Sequence, residues 1–246
     1  LKLVMQYVLR PENLIVSCTS ETDGLEAVKK ELPALKACLN TLPVPERTRT
    51  EEHLKRPAKR EGIKTPSAVQ YVARAGHIKK YYGTYRILKV ILSYDYLWIN
   101  LRVKGGAYGC MSGFKRNGES FLVSYRDPHL KRTLEVYQGV PDYIRAFEAD
   151  EREMTKYIIG TISNKDVPRT PQMQGSISKT AYFSNVTEDM LQKERNQILG
   201  AQKEDIQKLA ALVEAVLSDD QICVVGSETA IEKAEDVFME VKPLIG

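Results

Sequence analysis

Apolar positions recur most regularly between Tyr85 and Val103. Ile87, Ile91, Tyr94, Trp98 and Leu101 fall at alternating steps of four and three, the spacing of a helix's buried face. Leu88, Leu92, Ile99 and Val103 add an adjacent stripe, so this helix is apolar around most of its circumference and belongs in a core. Its length is about 28 Å at the usual rise per residue. Gly105 and Gly106 end it, because glycine takes the left-handed cap conformation without a Cβ penalty. Tyr108 to Phe114 and Phe121 to Tyr125 then alternate around Asn117-Gly118, a strong hairpin signal. Asp127-Pro128 reads as a helix N-cap with proline at the first helical position. Helix, glycine break and hairpin thus deliver Arg102 and Tyr108, six residues apart, to one end of a sheet. That end is where function is expected.

The rest of the chain alternates between the same two periods. Leu1–Leu9 reads as the last turns of a helix, Pro11-Glu12-Asn13 as a turn and Leu14–Cys18 as a short strand. Ser20 and Asp23 open a helix carrying Leu25, Val28, Leu32, Leu35 and Leu39, with a kink expected at Pro33. Leu42 to Pro66, rich in proline and charge, reads as a solvated loop with a basic patch at Lys55–Arg60. Ala68–Ala75 alternates as a strand, and His129–Tyr137 is helical, with a further turn or two from Asp142 to Phe147. Asp150 and Glu153 form a capping box for a helix carrying Met154, Tyr157, Ile158 and Ile162. Lys165 to Asn185 reads as a long connection. Two helices follow, Thr187–Leu199 and Gln202–Leu217, then a strand at Gln221–Val225 and a last helix from Ser227 to about Glu240. This order predicts an α+β fold, an α/β sandwich with a mixed, largely antiparallel sheet and helices mainly on one face. Residues 1–10 read as the tail of a preceding helix and 11–246 as a single domain.

Composition narrows the function classes. The 246 residues carry a net charge of +4 with both signs spread along the chain, which makes no demand for nucleic acid or anionic lipid. No stretch has the apolar length of a membrane span, and the start lacks both an initiator methionine and a signal-peptide pattern, so the chain reads as a piece of a longer protein. Cys18, Cys38, Cys110 and Cys223 are far apart and form no C-x-x-C, which reads as buried free thiols in a reducing compartment. A bacterial cytoplasm or an organellar matrix is expected rather than secretion. Lys79, Lys80, Tyr81, Tyr82 and Tyr85 form a basic–aromatic cluster of the kind seen in single-strand nucleic-acid binders, yet helix-start packing explains it more simply.

Several motifs in fixed order carry a resemblance. Gly83-Thr84-Tyr85, Tyr96-Leu97-Trp98, the run from Arg102 to Gly109 and Ser124-Tyr125-Arg126-Asp127-Pro128 resemble the C-terminal domain of presequence-protease-type enzymes. These are a branch of the pitrilysin/insulinase zinc metallopeptidases, and the likeness is densest from Ser67 to about Leu134. The resemblance implies the pitrilysin-type domain fold and a role as the C-terminal part of a zinc endopeptidase that degrades unstructured peptides in an enclosed chamber. It implies that zinc is held by the N-terminal catalytic half through H-x-x-E-H and a further glutamate, the motif glutamate serving as base.

This chain has only His53, His77 and His129, and none is followed three residues later by glutamate. No zinc is therefore expected on it, and alone it should not hydrolyse peptides. Its expected partners are the N-terminal half of the same protein and unstructured peptides, with no nucleic acid or membrane. By the resemblance, Tyr108 hydrogen-bonds the oxyanion or carbonyl of the scissile peptide and Arg102 binds a substrate backbone carbonyl. Gly105 and Gly106 count with them as substrate-binding positions; Arg126 reads first as a surface or ion-pair residue and, as the lesser alternative, as lining the substrate chamber, because the hairpin returns it to the sheet edge. From the residues alone, a helix-end arginine saving an orphan carbonyl and a sheet-filling tyrosine are the preferred explanation; the ordered family motifs turn the choice toward the substrate-contacting roles. The competing functions are a non-catalytic binding subunit of the same fold and, more weakly, a nucleic-acid-binding α/β module.

Overall fold

The computed structural model describes residues 1–44 and 58–244. In chain order these form α1 (Lys2–Val8), α2 (Thr22–Ala37), β1 (Arg60–Thr65), β2 (Gln70–His77) and α3 (Thr84–Ile91). Helix α3 runs on through π-helical turns at Leu92–Tyr96 and Trp98–Val103. Next come β3 (Gly109–Phe114), β4 (Glu119–Asp127), α4 (Lys131–Gln138), α5 (Val140–Arg145), α6 (Glu151–Lys165) and α7 (Pro171–Phe183). The chain closes with α8 (Glu188–Leu199), α9 (Lys203–Gln207), α10 (Leu209–Ser218), β5 (Gln221–Ser227), α11 (Glu228–Glu232) and β6 (Glu240–Pro243).

The strands make one mixed sheet in the order β3-β4-β2-β5-β1-β6. β2 pairs antiparallel with β4 and β5, β3 pairs antiparallel with β4, and β1 lies parallel to β5 and β6. Period-two alternation decides the faces. Val72, Leu122, Ile222 and Val224 point into the core with Leu88, Ile91, Ile144, Val213 and Ile231 from the helices. The opposite side of the same strands carries Tyr71, Ala73, Met111, Val123, Tyr125 and Val225 over a shallow apolar hollow of about 370 Å³. The mixed sheet with helices on one face is the architecture the pattern predicts.

Contacts divide the chain into two compact units, Leu1–Leu54 with Val167–Glu188, and Lys55–Asp166 with Asp189–Gly246, where the sequence pattern suggests one domain over 11–246. Every buried residue of the core belongs to the second unit, whereas α1, α2 and α7 bury none. In the first unit, backbone groups are held by side chains. Asn13 donates to the Tyr7 carbonyl at 2.9 Å and Asn40 to that of Gln6 at 3.1 Å.

Several local expectations are corrected. Leu14–Cys18 is not a strand, whereas β1 forms inside the stretch read as a loop; most of that stretch, including Lys55–Pro57 of the basic patch, lies outside the described residues. The Lys165–Asn185 connection contains α7, started by the Thr170 side chain, which accepts from Met173 N, and by Pro171 in the first turn. The last helix stops at Glu232, and β6 occupies the region assigned to its end. Asp127-Pro128 does not cap a helix directly. The buried Asp127 carboxylate accepts from His129 N at 2.9 Å and Thr133 Oγ1 at 2.7 Å, and α4 begins only at Lys131. The Asp150–Glu153 capping box forms as read, as does the hairpin, with Gly118 in the left-handed region at φ 97°.

Candidate functional site

The site is built at the end of α3, where the helix changes pitch. From Leu92 onward the backbone closes five-residue hydrogen bonds, such as Lys104 N to Ile99 O at 2.9 Å. A wider turn makes the buried face fall behind the 3.6-residue pattern. Leu92, Leu97 and Leu101 are therefore buried at steps of five and four, while Tyr94, Trp98, Ile99 and Val103, read as core positions, are exposed. The slip turns Trp98 and Arg102, four residues apart, onto the open side together.

Two glycines then reverse the chain, each for its own reason. A Cβ on Gly105 would stand 2.4 Å from the Leu101 carbonyl oxygen, and Gly106 has φ 77°. Gly106 N donates to Arg102 O at 3.0 Å and Ala107 N to Leu101 O at 2.9 Å, which satisfies the last carbonyls of the helix. Tyr108 N donates to Arg126 O at 3.2 Å and so begins the β3–β4 pairing. At that crossing Arg126 itself takes a left-handed conformation, φ 48°.

Arg102, Tyr108 and Arg126, predicted from the sequence as site residues, are brought together. The Arg102 guanidinium carbon lies 4.4 Å from the centre of the Trp98 ring and 5.7 Å from that of Tyr108. The Arg126 guanidinium lies 5.4 Å from the same tyrosine ring. Arg102 Nη1 also donates to the Tyr108 carbonyl oxygen. Tyr125 packs on Tyr108 with centroids 5.6 Å apart, and its ring crosses Gly109 so closely that a Cβ there would meet it at 2.5 Å. Tyr108 remains 58% exposed, its phenol free to meet a ligand. Gly105 and Gly106 shape the reversal.

Trp98 and Tyr125 complete the cluster and were not among the expected site residues. The i,i+4 relation between Trp98 and Arg102 was the available signal, since helix neighbours at that spacing meet. Behind the site, Cys110 is half-buried; burial pushes its thiol up to about 11, with Asp127 adding to the shift and Arg102 opposing it.

Among the described residues no three His, Cys, Asp or Glu side chains gather as metal ligands. His77 lies at the end of β2 beside Gly118, and His129 precedes α4. His53 lies outside the described residues. Among the described residues the donor set does not fit a zinc centre. The Tyr81–Tyr85 cluster packs inward: Tyr85 is buried and stacks on Phe114 at 5.0 Å. Beside it, buried Glu194 on α8 receives Arg86 at 2.6 Å, Lys165 at 2.8 Å and Arg116 of the hairpin. Burial raises its carboxyl, but the Lys165 hydrogen bond and the three cations outweigh this and hold it below the usual range.

Residues 60–228 match the family described as the PreP C-terminal domain. The whole chain is 41% identical to a quarter of Protein HypA from Clostridium perfringens. It is 30% identical, over 98% of its length, to 23% of Presequence protease 1, chloroplastic/mitochondrial, from Arabidopsis thaliana. The chain thus spans about a quarter of the length of these relatives. In fold it is similar to a peptidase M16 inactive domain from Pseudomonas fluorescens, at a TM-score of 0.55 and 16% identity over 90% of this chain and 52% of that one. It is also similar to pitrilysin, at 0.53 and 16% identity over 83% of this chain and 23% of the other. With the R-x-x-G-G-A-Y run inside the matched region and the sheet architecture shared, this chain belongs to the PreP C-terminal domain family of pitrilysin-like proteases.

Proposed function

We propose that the chain is the zinc-free, C-terminal part of a zinc metalloendopeptidase for unstructured peptides, and that Tyr108 and Arg102 meet the substrate. The observation that supports this best is the exposed Tyr108, with Arg102 and Arg126 against its ring and packed on Tyr125, which lines the apolar hollow of the sheet. A phenol placed where charge develops on a peptide carbonyl stabilises the transition state, an effect worth about a hundred- to thousand-fold in rate. The Arg102 guanidinium carries only hydrogen-bond donors and supplies them to a backbone carbonyl. The open sheet face lines the space in which an extended peptide lies. We assign zinc and its base to the N-terminal half; among the described residues of this chain no three metal-ligating side chains gather. We place the parent in a bacterial cytoplasm or an organellar matrix. Two relatives bear the names presequence protease, chloroplastic/mitochondrial and mitochondrial, and no helix among the described residues is long and apolar enough to cross a membrane.

The test is reconstitution. This chain is mixed with the polypeptide encoded immediately upstream and supplied with an unstructured peptide. Cleavage that needs both pieces, stops on chelation and returns with zinc supports the reading; cleavage by this chain alone contradicts it. A second reading, a non-catalytic binding subunit, draws on the neighbour described as an inactive peptidase domain. Folded, associating but inactive pieces would favour it.

A further inference from the structure

We propose that Arg102 and Arg126 form a carboxylate-binding site around Tyr108, so that peptides placing a carboxylate there are preferred. The carboxylate is an acidic side chain or the free C-terminus of the peptide. This rests on the reading above that Tyr108 faces the substrate, and it adds a selectivity that the reading does not contain.

Both guanidinium groups are held against one ring, at 5.7 and 5.4 Å from its centre, and neither has a carboxylate partner among the described residues. Arg86, Arg116, Arg145 and Arg195 each do. The nearest acid in sequence, Asp127, is buried and already accepts from His129 N and Thr133 Oγ1. Two like charges beside one ring repel each other, and an anion between them converts that repulsion into two attractions. Arg102 uses one donor on the Tyr108 carbonyl, leaving further N–H groups of a fork that matches a carboxylate. Arg126 is held in this place by a left-handed backbone, φ 48°, a conformation uncommon outside glycine and concentrated at functional sites. The exposed Tyr108 ring, against which both guanidinium groups lie, provides an apolar floor.

The test uses the reconstituted pair and one unstructured, N-acetylated peptide made in three forms. These are a neutral C-terminal amide, the same peptide as a free acid, and a series of amides with one glutamine at a time changed to glutamate. Charge-assisted hydrogen bonds at such a site predict a preference of about tenfold or more in kcat/KM for the matching acidic form. The free-acid arm and the glutamate series tell a terminal from a side-chain carboxylate. Arg126→Gln is expected to bring the acid-to-neutral ratio to about one, and Arg126→Lys to restore part of it. If the pair turns nothing over, the same ratios are read as Kd from Trp98, the chain's single tryptophan, stacked on Arg102. Equal handling of all forms by the wild type, or an equal loss on acidic and neutral peptides in Arg126→Gln, overturns the proposal. The underlying reading fails separately, if Tyr108→Phe leaves every peptide cleaved as before.

Discussion

Tyr108 owes its place to neighbours that do no chemistry. The ring of Tyr125 leans on it and can do so only because residue 109 is glycine. Gly109→Ala should push that ring aside and disturb the site more than the fold. Its expected signature is weaker peptide handling by the reconstituted pair, with a melting temperature close to wild type. Cys110, one residue on, offers a second check. A thiol pushed up to about 11 by burial holds little thiolate at pH 8, so Cys110 should alkylate far more slowly than the exposed Cys18 and Cys38 until denaturant is added. Mass spectrometry of alkylated peptides reads this directly, and equal rates would contradict the packing. The four cysteines are free, as read from their spacing, but Cys18 and Cys38 are exposed rather than buried. Spacing says nothing of burial, and α2 and the segment before it bury no residue.

The helix that ends at the site shows what a repeat pattern can and cannot tell. Its existence and approximate extent followed from Ile87, Leu88, Ile91 and Leu101, all buried. Its face after Leu92 did not, because the 3.6-residue period assumes four-residue hydrogen bonds and these turns close five. Trp98 was assigned to the core for that reason and lies under Arg102 instead. Helix α7 was hidden for another reason: its apolar residues Met173, Ile177, Tyr182 and Phe183 are all exposed, so no periodic buried face marked it. The glycine break was legible, and it carries a prediction. Gly105→Ala places a methyl 2.4 Å from the Leu101 carbonyl oxygen and should cost on the order of 2 kcal/mol by chemical denaturation. An unchanged midpoint would mean that the backbone there yields freely.

At the scale of the second unit, one buried carboxylate ties α3, α6, α8 and the hairpin together. Glu194→Gln would leave Arg86, Arg116 and Lys165 without their shared counter-charge and should cost roughly 3 kcal/mol. The pH dependence has a definite sign. A carboxyl held below its unfolded value contributes stability fully above that value and loses it as the pH falls through the folded one. The wild type should therefore lose part of its advantage over the glutamine variant on acidification below about pH 4, and a constant difference would contradict the ion network.

The sheet and the ordered motifs were readable because alternation, hairpin and glycine signals are local. β1 and β6 were not: the pattern there reads as a loop and as the end of a helix, and nothing local specifies that β1 pairs with the distant β5 and β6 with β1. Tyr108 is proposed to act on a peptide whose scissile bond meets a zinc centre carried by a second polypeptide. The most direct measurement is steady-state cleavage of one unstructured peptide by the reconstituted pair with Tyr108 or Tyr108→Phe. The kcat is expected to fall by about a hundredfold or more with little change in KM, as for loss of a transition-state donor. An unchanged kcat in a folded, associated pair would contradict it.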